Sequence, residues 1–189
     1  MGREFELKYA ATPEKLAAIF QMWENWESIS METTYFDTLD GALSAKHCTL
    51  RCRMENDISV CTTKTPIAGF GRGEWNKTAP WCAETVAQLL TEAGQGQIAF
   101  ENLRAVCGAK FNRRAKTVEL PGCIVEIALD EGILMGGTKQ IPLCELEIEV
   151  KDGSENAAIL WAKSLAAKFD LQPENQSKFR RASLLAKGE

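Results

Sequence analysis

Three glutamates alternate along one short stretch, Glu145, Glu147 and Glu149, and the chain opens on a second alternating set, Glu4, Glu6 and Lys8. Elsewhere Arg51 and Arg53 stand two residues apart, Lys64 follows Thr62 by two, and Glu126 precedes Asp130 by four. Alternate residues of an extended strand share a face, so each set forms a row of polar or charged groups. The residues between them are apolar: Phe5, Leu7 and Tyr9; Leu50, Cys52 and Met54; Leu146, Ile148 and Val150. For one strand alone, the ordinary explanation is a solvated face. Several strands separated by sign point further. Glutamates in a row repel one another unless a cation stands among them, and paired guanidinium groups invite an anion. If both kinds of strand close one barrel, the charges face a common lumen and the apolar faces lie outside under helices. A lumen with both walls suits a divalent metal ion on a polyanionic phosphate chain.

The elements that must position these rows follow from pattern and punctuation. Arg3 to Ala10 reads as a strand. A helix is expected from Pro13 to about Trp26, with Thr12 as cap, Pro13 at its first position, and Leu16, Ile19, Phe20 and Trp23 at helical spacing. Strands are expected at Met31–Phe36, Cys48–Met54 and Ile58–Thr65, the last two joined by a turn at Glu55-Asn56-Asp57. Pro66 and the glycine-rich Gly69-Phe70-Gly71-Arg72-Gly73 lead into Glu74–Thr78. A helix covers Glu84–Ala93. Phe111–Leu120 and Cys123–Asp130 pair around Pro121-Gly122. Leu143–Val150 forms another strand, followed by helices at Glu155–Phe169 and Phe179–Ala186. Many antiparallel strands with a few helices predict an α+β fold on a curled sheet or barrel.

Composition narrows the chemistry. The chain has 189 residues, 45% of them hydrophobic, a net charge of -4 and a sequence pI near 5.3. This acidic balance argues against nucleic acid as a partner, and one domain accounts for the length. The seven cysteines are odd in number and scattered, with no CxxC, which argues against a zinc ribbon and a disulfide framework. Cys48, Cys52 and Cys61 are read as apolar-face positions. No apolar run approaches the ~20 residues of a membrane helix, and the chain reads as cytoplasmic with reduced thiols. His47 is the sole histidine, so carboxylates, lysines and arginines must carry the polar chemistry. The glycine-rich segment lacks the Lys-Ser/Thr of a phosphate-binding loop.

These residues resemble the CYTH, or triphosphate tunnel metalloenzyme, superfamily. Glu4-Phe5-Glu6-Leu7-Lys8 matches its opening ExExK. Tyr35-Phe36-Asp37-Thr38, Leu50-Arg51-Cys52-Arg53, Thr62-Thr63-Lys64, Gly73-Glu74-Trp75-Asn76, Phe111-Asn112-Arg113, Glu126-Ile127-Ala128-Leu129-Asp130-Glu131-Gly132, Cys144 to Glu149 and Ser177-Lys178-Phe179 follow in the family's order. The resemblance spans the chain, read as a single CYTH domain over residues 1–189. It is nearest to the bacterial inorganic triphosphatase branch often fused to a CHAD domain, and this sequence stops without that region.

The resemblance implies an eight-stranded antiparallel barrel with helices packed outside, hydrolysing a triphosphate. Lys8, Arg51, Arg53, Lys64, Arg113 and Lys178 would grip phosphate oxygens, the planar arginine fork binding two together. Glu4, Glu6, Asp130, Glu145, Glu147 and Glu149 would hold one or two Mg2+ or Mn2+ ions, as oxygen ligands suit hard cations. Glu4, Glu6, Lys8 and Glu74 are the expected catalytic groups. The expected substrate is inorganic tripolyphosphate, cut to pyrophosphate and phosphate. The alternatives are an adenylate cyclase, a nucleoside or thiamine triphosphatase, and, in another class, a non-catalytic polyphosphate-binding module. The full set of acids disfavours the last, since a polyanion needs only cations.

Overall fold

The computed structural model describes residues 2, 3, 5–66 and 72–188. Among them the strands are β1 (Gly2–Arg3), β2 (Glu6–Ala10), β3 (Glu27–Thr38), β4 (Thr49–Glu55), β5 (Ile58–Pro66), β6 (Arg72–Thr78), β7 (Leu103–Leu120), β8 (Cys123–Gly136), β9 (Lys139–Gly153) and β10 (Gln172–Pro173). The helices are α1 (Pro13–Phe20), α2 (Ala83–Glu92), α3 (Glu155–Lys168) and α4 (Lys178–Lys187). None of them is long and apolar enough to cross a membrane. All strands belong to one antiparallel sheet in the order β1-β6-β5-β4-β3-β7-β8-β9-β2-β10. Eight of them have five residues or more, matching the expected eight-stranded α+β architecture.

The sheet curls because one segment serves both ends of the order. Gly2–Arg3 pairs with Gly73–Glu74, and Glu6–Ala10 pairs with Glu145–Glu149. Three residues of chain reach at most about 11 Å, so the β6 and β9 edges must approach one another. The ladder has its seam there rather than running unbroken around the barrel.

The outer face is apolar and covered by helices. Tyr9, Val125, Ile127, Leu129, Leu146 and Ile148 pack against Leu16 and Ile19 of α1 and Ala158, Ala162 and Leu165 of α3. Leu50 and Leu103 pack against Val86 and Leu90 of α2. The last helix differs from the other three: α4 meets the opposite face, where Met31, Tyr35, Ala109, Phe111, Leu134 and Leu143 surround its Ala182, with Phe179 and Leu185 alongside. One end of the barrel is therefore filled by α4 on the charged side of the wall.

Several boundaries differ from those expected. α1 stops at Phe20 rather than near Trp26, because the Trp26 indole donates to the carbonyls of Phe20 at 3.1 Å and Trp23 at 2.9 Å, and Asn25 turns left-handed at φ 58°. Side-chain capping of this kind, with Trp23 edge-on to Trp26 and the pair tilted against Phe20 and Trp161, takes the place of further helical turns. β7 begins at Leu103, and β8 runs on to Gly136. Both extensions contain glycines that look like breakers in sequence but sit at close contacts. A Cβ on Gly132 would lie 2.2 Å from the Lys110 carbonyl, and one on Gly136 would lie 2.3 Å from that of Ala182.

Candidate active site

Strand register places the acids on three successive rungs of β8, β9 and β2. Glu126, Glu149 and Glu6 align on the first, Ala128, Glu147 and Lys8 on the second, and Asp130, Glu145 and Ala10 on the third. Arg113 of β7 faces Asp130, which extends the third rung. The opposite wall is built from β3 to β6. There Tyr35, Arg51, Thr62 and Asn76 share one rung, Thr33, Arg53 and Val60 another, and Thr49, Lys64 and Glu74 a third. Both walls line a single cavity of about 280 Å³, together with Phe111, Arg113, Lys178 and Phe179.

Burial is graded along the acid wall. Side-chain exposure is 30% at Glu126, 31% at Glu149 and 22% at Glu6, falls to 13% at Glu147, and is 0% at Asp130 and Glu145. The deepest rung is neutralised by the protein's own cations. The Arg113 fork donates to both oxygens of Asp130 at 2.7 Å each, and also to Glu147. Lys178 lies 2.7 Å from Asp130 and 2.6 Å from Glu147 and also pairs with Glu145. Arg181 pairs with Glu145 and lies 3.6 Å from Glu174.

The electrostatics follow from this packing. Burial pulls the Lys178 ammonium down, but Glu147, Asp130 and Glu145 outweigh it and hold the group well above the usual lysine range. Burial likewise opposes the charge on Arg113, and Glu147 and Asp130 more than restore it. Glu147 is kept well below the ordinary carboxylate value by Lys178 and Arg113, against its burial. Glu145 moves the other way: burial pushes it up, and Lys178 and Arg181 offset only part.

On the basic wall, Lys64 lies 2.9 Å from Glu74, Asn76 donates to Glu74 at 2.9 Å, and Thr62 donates to Asn76 at 2.7 Å. Arg53 pairs with Glu55. The Nε groups of Arg51 and Arg53 are buried with no acceptor among the described residues. A buried donor without a partner is costly, and two of them here lie beside the same cavity. Burial and the neighbouring Arg51 draw the Arg53 guanidinium below its ordinary value, though arginine stays charged.

Of the residues expected from sequence, Glu6, Lys8, Arg51, Arg53, Lys64, Arg113, Glu147, Glu149 and Lys178 line the cavity. Glu74 is not one of the lining residues but pairs with Lys64, which is, and Lys8 lies 3.5 Å from Glu6. Asp130 and Glu145 are buried behind the lining, and Glu4 lies outside the described residues, as do Gly69, Phe70 and Gly71. Arg114 faces away, its guanidinium 4.6 Å over the Phe20 ring. Sequence reading passed over Arg181, although it lies three residues after Lys178 and so one helical turn along the same side. It also left Glu126 unassigned, although its alternation with Asp130 marked the shared face.

Asp130, Glu145 and Glu147 can each present an oxygen with all three within 4.8 Å of one another, but these oxygens already meet lysine and arginine. The first rung, Glu6, Glu149 and Glu126, adds three carboxylates on adjacent strands that line the cavity. An all-oxygen set with graded exposure fits a hard cation.

A model of the CYTH domain matches residues 2–183, and therefore both walls and α4 through Ser183. The chain belongs to the CYTH domain family. It is 28% identical over 200 residues to an inorganic triphosphatase of Haemophilus influenzae, a match covering 98% of this chain. The chain spans about half, 55%, of that relative's length. The fold is similar to HpAC1 from Hippeastrum, a structure described as revealing a dominant triphosphatase activity (15% identity, TM-score 0.69, 98% of this chain and 95% of that one). It is also similar to a Pyrococcus horikoshii protein (20% identity, TM-score 0.65, 98% and 99%). At these identities the structural likenesses speak for the CYTH fold.

Proposed function

We propose that this CYTH chain, one domain over residues 1–189, hydrolyses a triphosphate with Mg2+ or Mn2+, and that inorganic tripolyphosphate is cut to pyrophosphate and phosphate. The carrying observation is one cavity divided into an acid wall and a basic wall, with the Nε groups of Arg51 and Arg53 beside it and without an acceptor among the described residues. The Haemophilus relative's activity supports the same reading. Arg51, Arg53, Lys64 and Lys8 bind phosphate oxygens, and Arg113 and Lys178 meet the chain from the deep end. Glu6 and Glu149, with Glu4 two residues before Glu6 in sequence and Glu147 one rung deeper, hold the ion; Asp130 and Glu145 fix Arg113, Lys178 and Arg181 at the deepest rung. When bound, the ion supplies neutralising charge and Lewis acidity. Glu74, held by Lys64 and Asn76, is the carboxylate on the basic wall placed to take a proton. Positioning and charge do most of the work in phosphoryl transfer. The reading places the protein in the cytoplasm, with no nucleic acid or membrane as partner, as the CYTH part of a CHAD-fused or free-standing enzyme.

A neighbouring cavity of about 560 Å³ shares Thr49, Ser177 and Phe179 with the first and adds Leu39, Val106, His47 and Arg180. Its mixed lining has room for an organic group, which favours a nucleoside or thiamine triphosphate as the alternative. Purified protein is to be given tripolyphosphate, ATP, thiamine triphosphate and pyrophosphate, each with Mg2+ or Mn2+, while phosphate, pyrophosphate and cyclic AMP are followed. Phosphate release chiefly from tripolyphosphate is expected. Cyclic AMP from ATP would establish a cyclase instead, and tight binding without turnover a binding module.

A further inference from the structure

On the wall face opposite Arg51 and Arg53, Cys52 of β4 and Cys61 of β5 are direct cross-strand partners. The β4–β5 hairpin turns through two residues, Asn56 and Asp57, with Glu55 opposite Ile58. A two-residue turn makes that first pair the mutually hydrogen-bonded one, and pairs alternate outward from it. Met54–Ser59 is then non-hydrogen-bonded, Arg53–Val60 hydrogen-bonded, and Cys52–Cys61 non-hydrogen-bonded. Such pairs bring Cα atoms to about 4.5 Å, inside the roughly 4.4–6.8 Å span that a disulfide bridges. Side chains of directly opposed residues share a face, so both thiols point the same way without strand movement.

The two sulfurs differ in setting. Cys61 is fully buried and its thiol contacts the Ala79 carbonyl at 3.6 Å, whereas Cys52 is half-buried with Ser59 Oγ 3.5 Å from its sulfur. A hydrogen bond from Cys61 lowers the Cys52 thiol to about 6, while the same contact and burial push Cys61 up. The half-buried Cys52 is the sulfur a peroxide can reach, and the fully buried Cys61 directly opposite is its resolving neighbour.

We propose that Cys52 and Cys61 form a dithiol modification site that peroxides convert reversibly to a disulfide across the β4–β5 ribbon. With hydrogen peroxide, the Cys52 thiolate attacks one peroxide oxygen and the O–O bond breaks. Cys52 becomes a sulfenic acid, and the departing hydroxide takes up a proton to leave as water. The Cys61 sulfur then attacks the Cys52 sulfur, and the sulfenic hydroxide leaves with the Cys61 proton as a second water. The two cysteines lose two electrons, and one peroxide is reduced to two waters. The bond ties together the two strands whose opposite face carries Arg51, Arg53, Thr62 and Lys64, so the thiol state reaches the cavity wall through the backbone.

The test treats the reduced full chain with hydrogen peroxide, alkylates the remaining thiols and maps disulfide-linked peptides by mass spectrometry. Parallel samples carry Cys52→Ser, Cys61→Ser or Cys48→Ser. A Cys52–Cys61 linkage is expected in the parent and in Cys48→Ser, reversed by dithiothreitol and absent from the other two. Oxidation should raise the thermal midpoint only where the linkage forms. The parent map decides alone if a serine variant does not fold. Oxidised protein in which Cys52 stops at sulfenic or sulfinic acid, or pairs with Cys48 or Cys82, overturns the proposal.

Discussion

Arg113 and Asp130 face each other across β7 and β8, and the guanidinium fork donates to both carboxylate oxygens at 2.7 Å. Asp130 is fully buried and also receives Lys178 from α4. A charge this deep is tolerable only when its partners are complete. The same pairs that neutralise the deepest acids therefore fasten the C-terminal helix into the barrel.

Asp130→Asn keeps the shape but removes the charge that Arg113 and Lys178 share. Breaking one side of a buried ion network costs about 3–5 kcal/mol, and urea unfolding should show a loss of that order. Arg114→Ala, on the outer face, serves as a control and should cost far less. Equal unfolding midpoints for Asp130→Asn and the parent would contradict the assigned role.

The pH dependence of stability follows from the same cluster. Glu147 is depressed by Lys178 and Arg113 against its burial, so its contribution is present above its unfolded value of about 4.3 and is lost as pH falls through the folded one. Lys178 is raised by Glu147, Asp130 and Glu145 against its burial. Its contribution is complete below about 10.4 and is lost as pH rises through the folded value. Glu145, raised chiefly by burial, has the opposite sign to Glu147: it weighs against folding once its unfolded form ionises, and acid relieves it. Urea midpoints should be broadly level between about pH 5 and 10 and fall on both sides. Glu147→Gln should flatten the acid limb. An acid limb unchanged in that variant would show that other carboxylates carry it.

Strand alternation alone made the division into walls legible, because charge and apolarity alternate cleanly in β2, β4 and β9. The closure of the sheet was not legible: it depends on Gly2–Arg3 and Glu6–Ala10 pairing with strands distant in sequence, and local pattern carries no such information. Alternation also could not rank the acids. Glu145 and Glu149 look alike in sequence, yet one is buried against Lys178 and Arg181 while the other lines the cavity. The placement of α4 on the charged face escaped for a similar reason, since its apolar residues Phe179, Ala182 and Leu185 would suit either face of the wall.

Removing the Lys64 ammonium should act on substrate binding. Lys64 lies on the basic wall at 18% side-chain exposure, 2.9 Å from Glu74. A charge-assisted contact contributes about 1.5–3 kcal/mol, so Lys64→Ala should raise KM for tripolyphosphate roughly tenfold to a hundredfold at that scale. Steady-state kinetics at saturating Mg2+ provide the measurement. An unchanged KM would remove Lys64 from the phosphate grip.

Glu6→Gln tests the acid wall where it is more open. Glu6 shares a rung with Glu149 and Glu126 and lines the cavity. Loss of one metal-holding carboxylate weakens charge stabilisation worth several kcal/mol, so phosphate release should drop about a hundredfold and the Mg2+ requirement should shift to higher concentration. The Glu6 side chain is 22% exposed, so the unfolding midpoint should move little. Full activity with an unaltered metal titration would sink the role.

The docking of α4 can be tested without touching a charge. A Cβ added to Gly136 would lie 2.3 Å from the Ala182 carbonyl and 2.5 Å from the Ala186 nitrogen, both backbone atoms that cannot rotate aside. Gly136→Ala must push the helix away from β8, a displacement that overpacking costs of about 1–3 kcal/mol describe. Lys178 and Arg181 would move with it, drawing cations off Asp130, Glu145 and Glu147. Hydrogen exchange should therefore accelerate across residues 178–187 while the strands β3 to β6 keep their protection. Activity should fall with the loosened Lys178, because the same helix that fills the barrel end delivers that side chain to the cavity. Gly137→Ala is a poorer probe of the contact: its nearest helix atom is 3.7 Å away and its own φ is 59°, so backbone strain would dominate its effect. Unchanged exchange in α4 of Gly136→Ala would mean that the helix is not held by this contact.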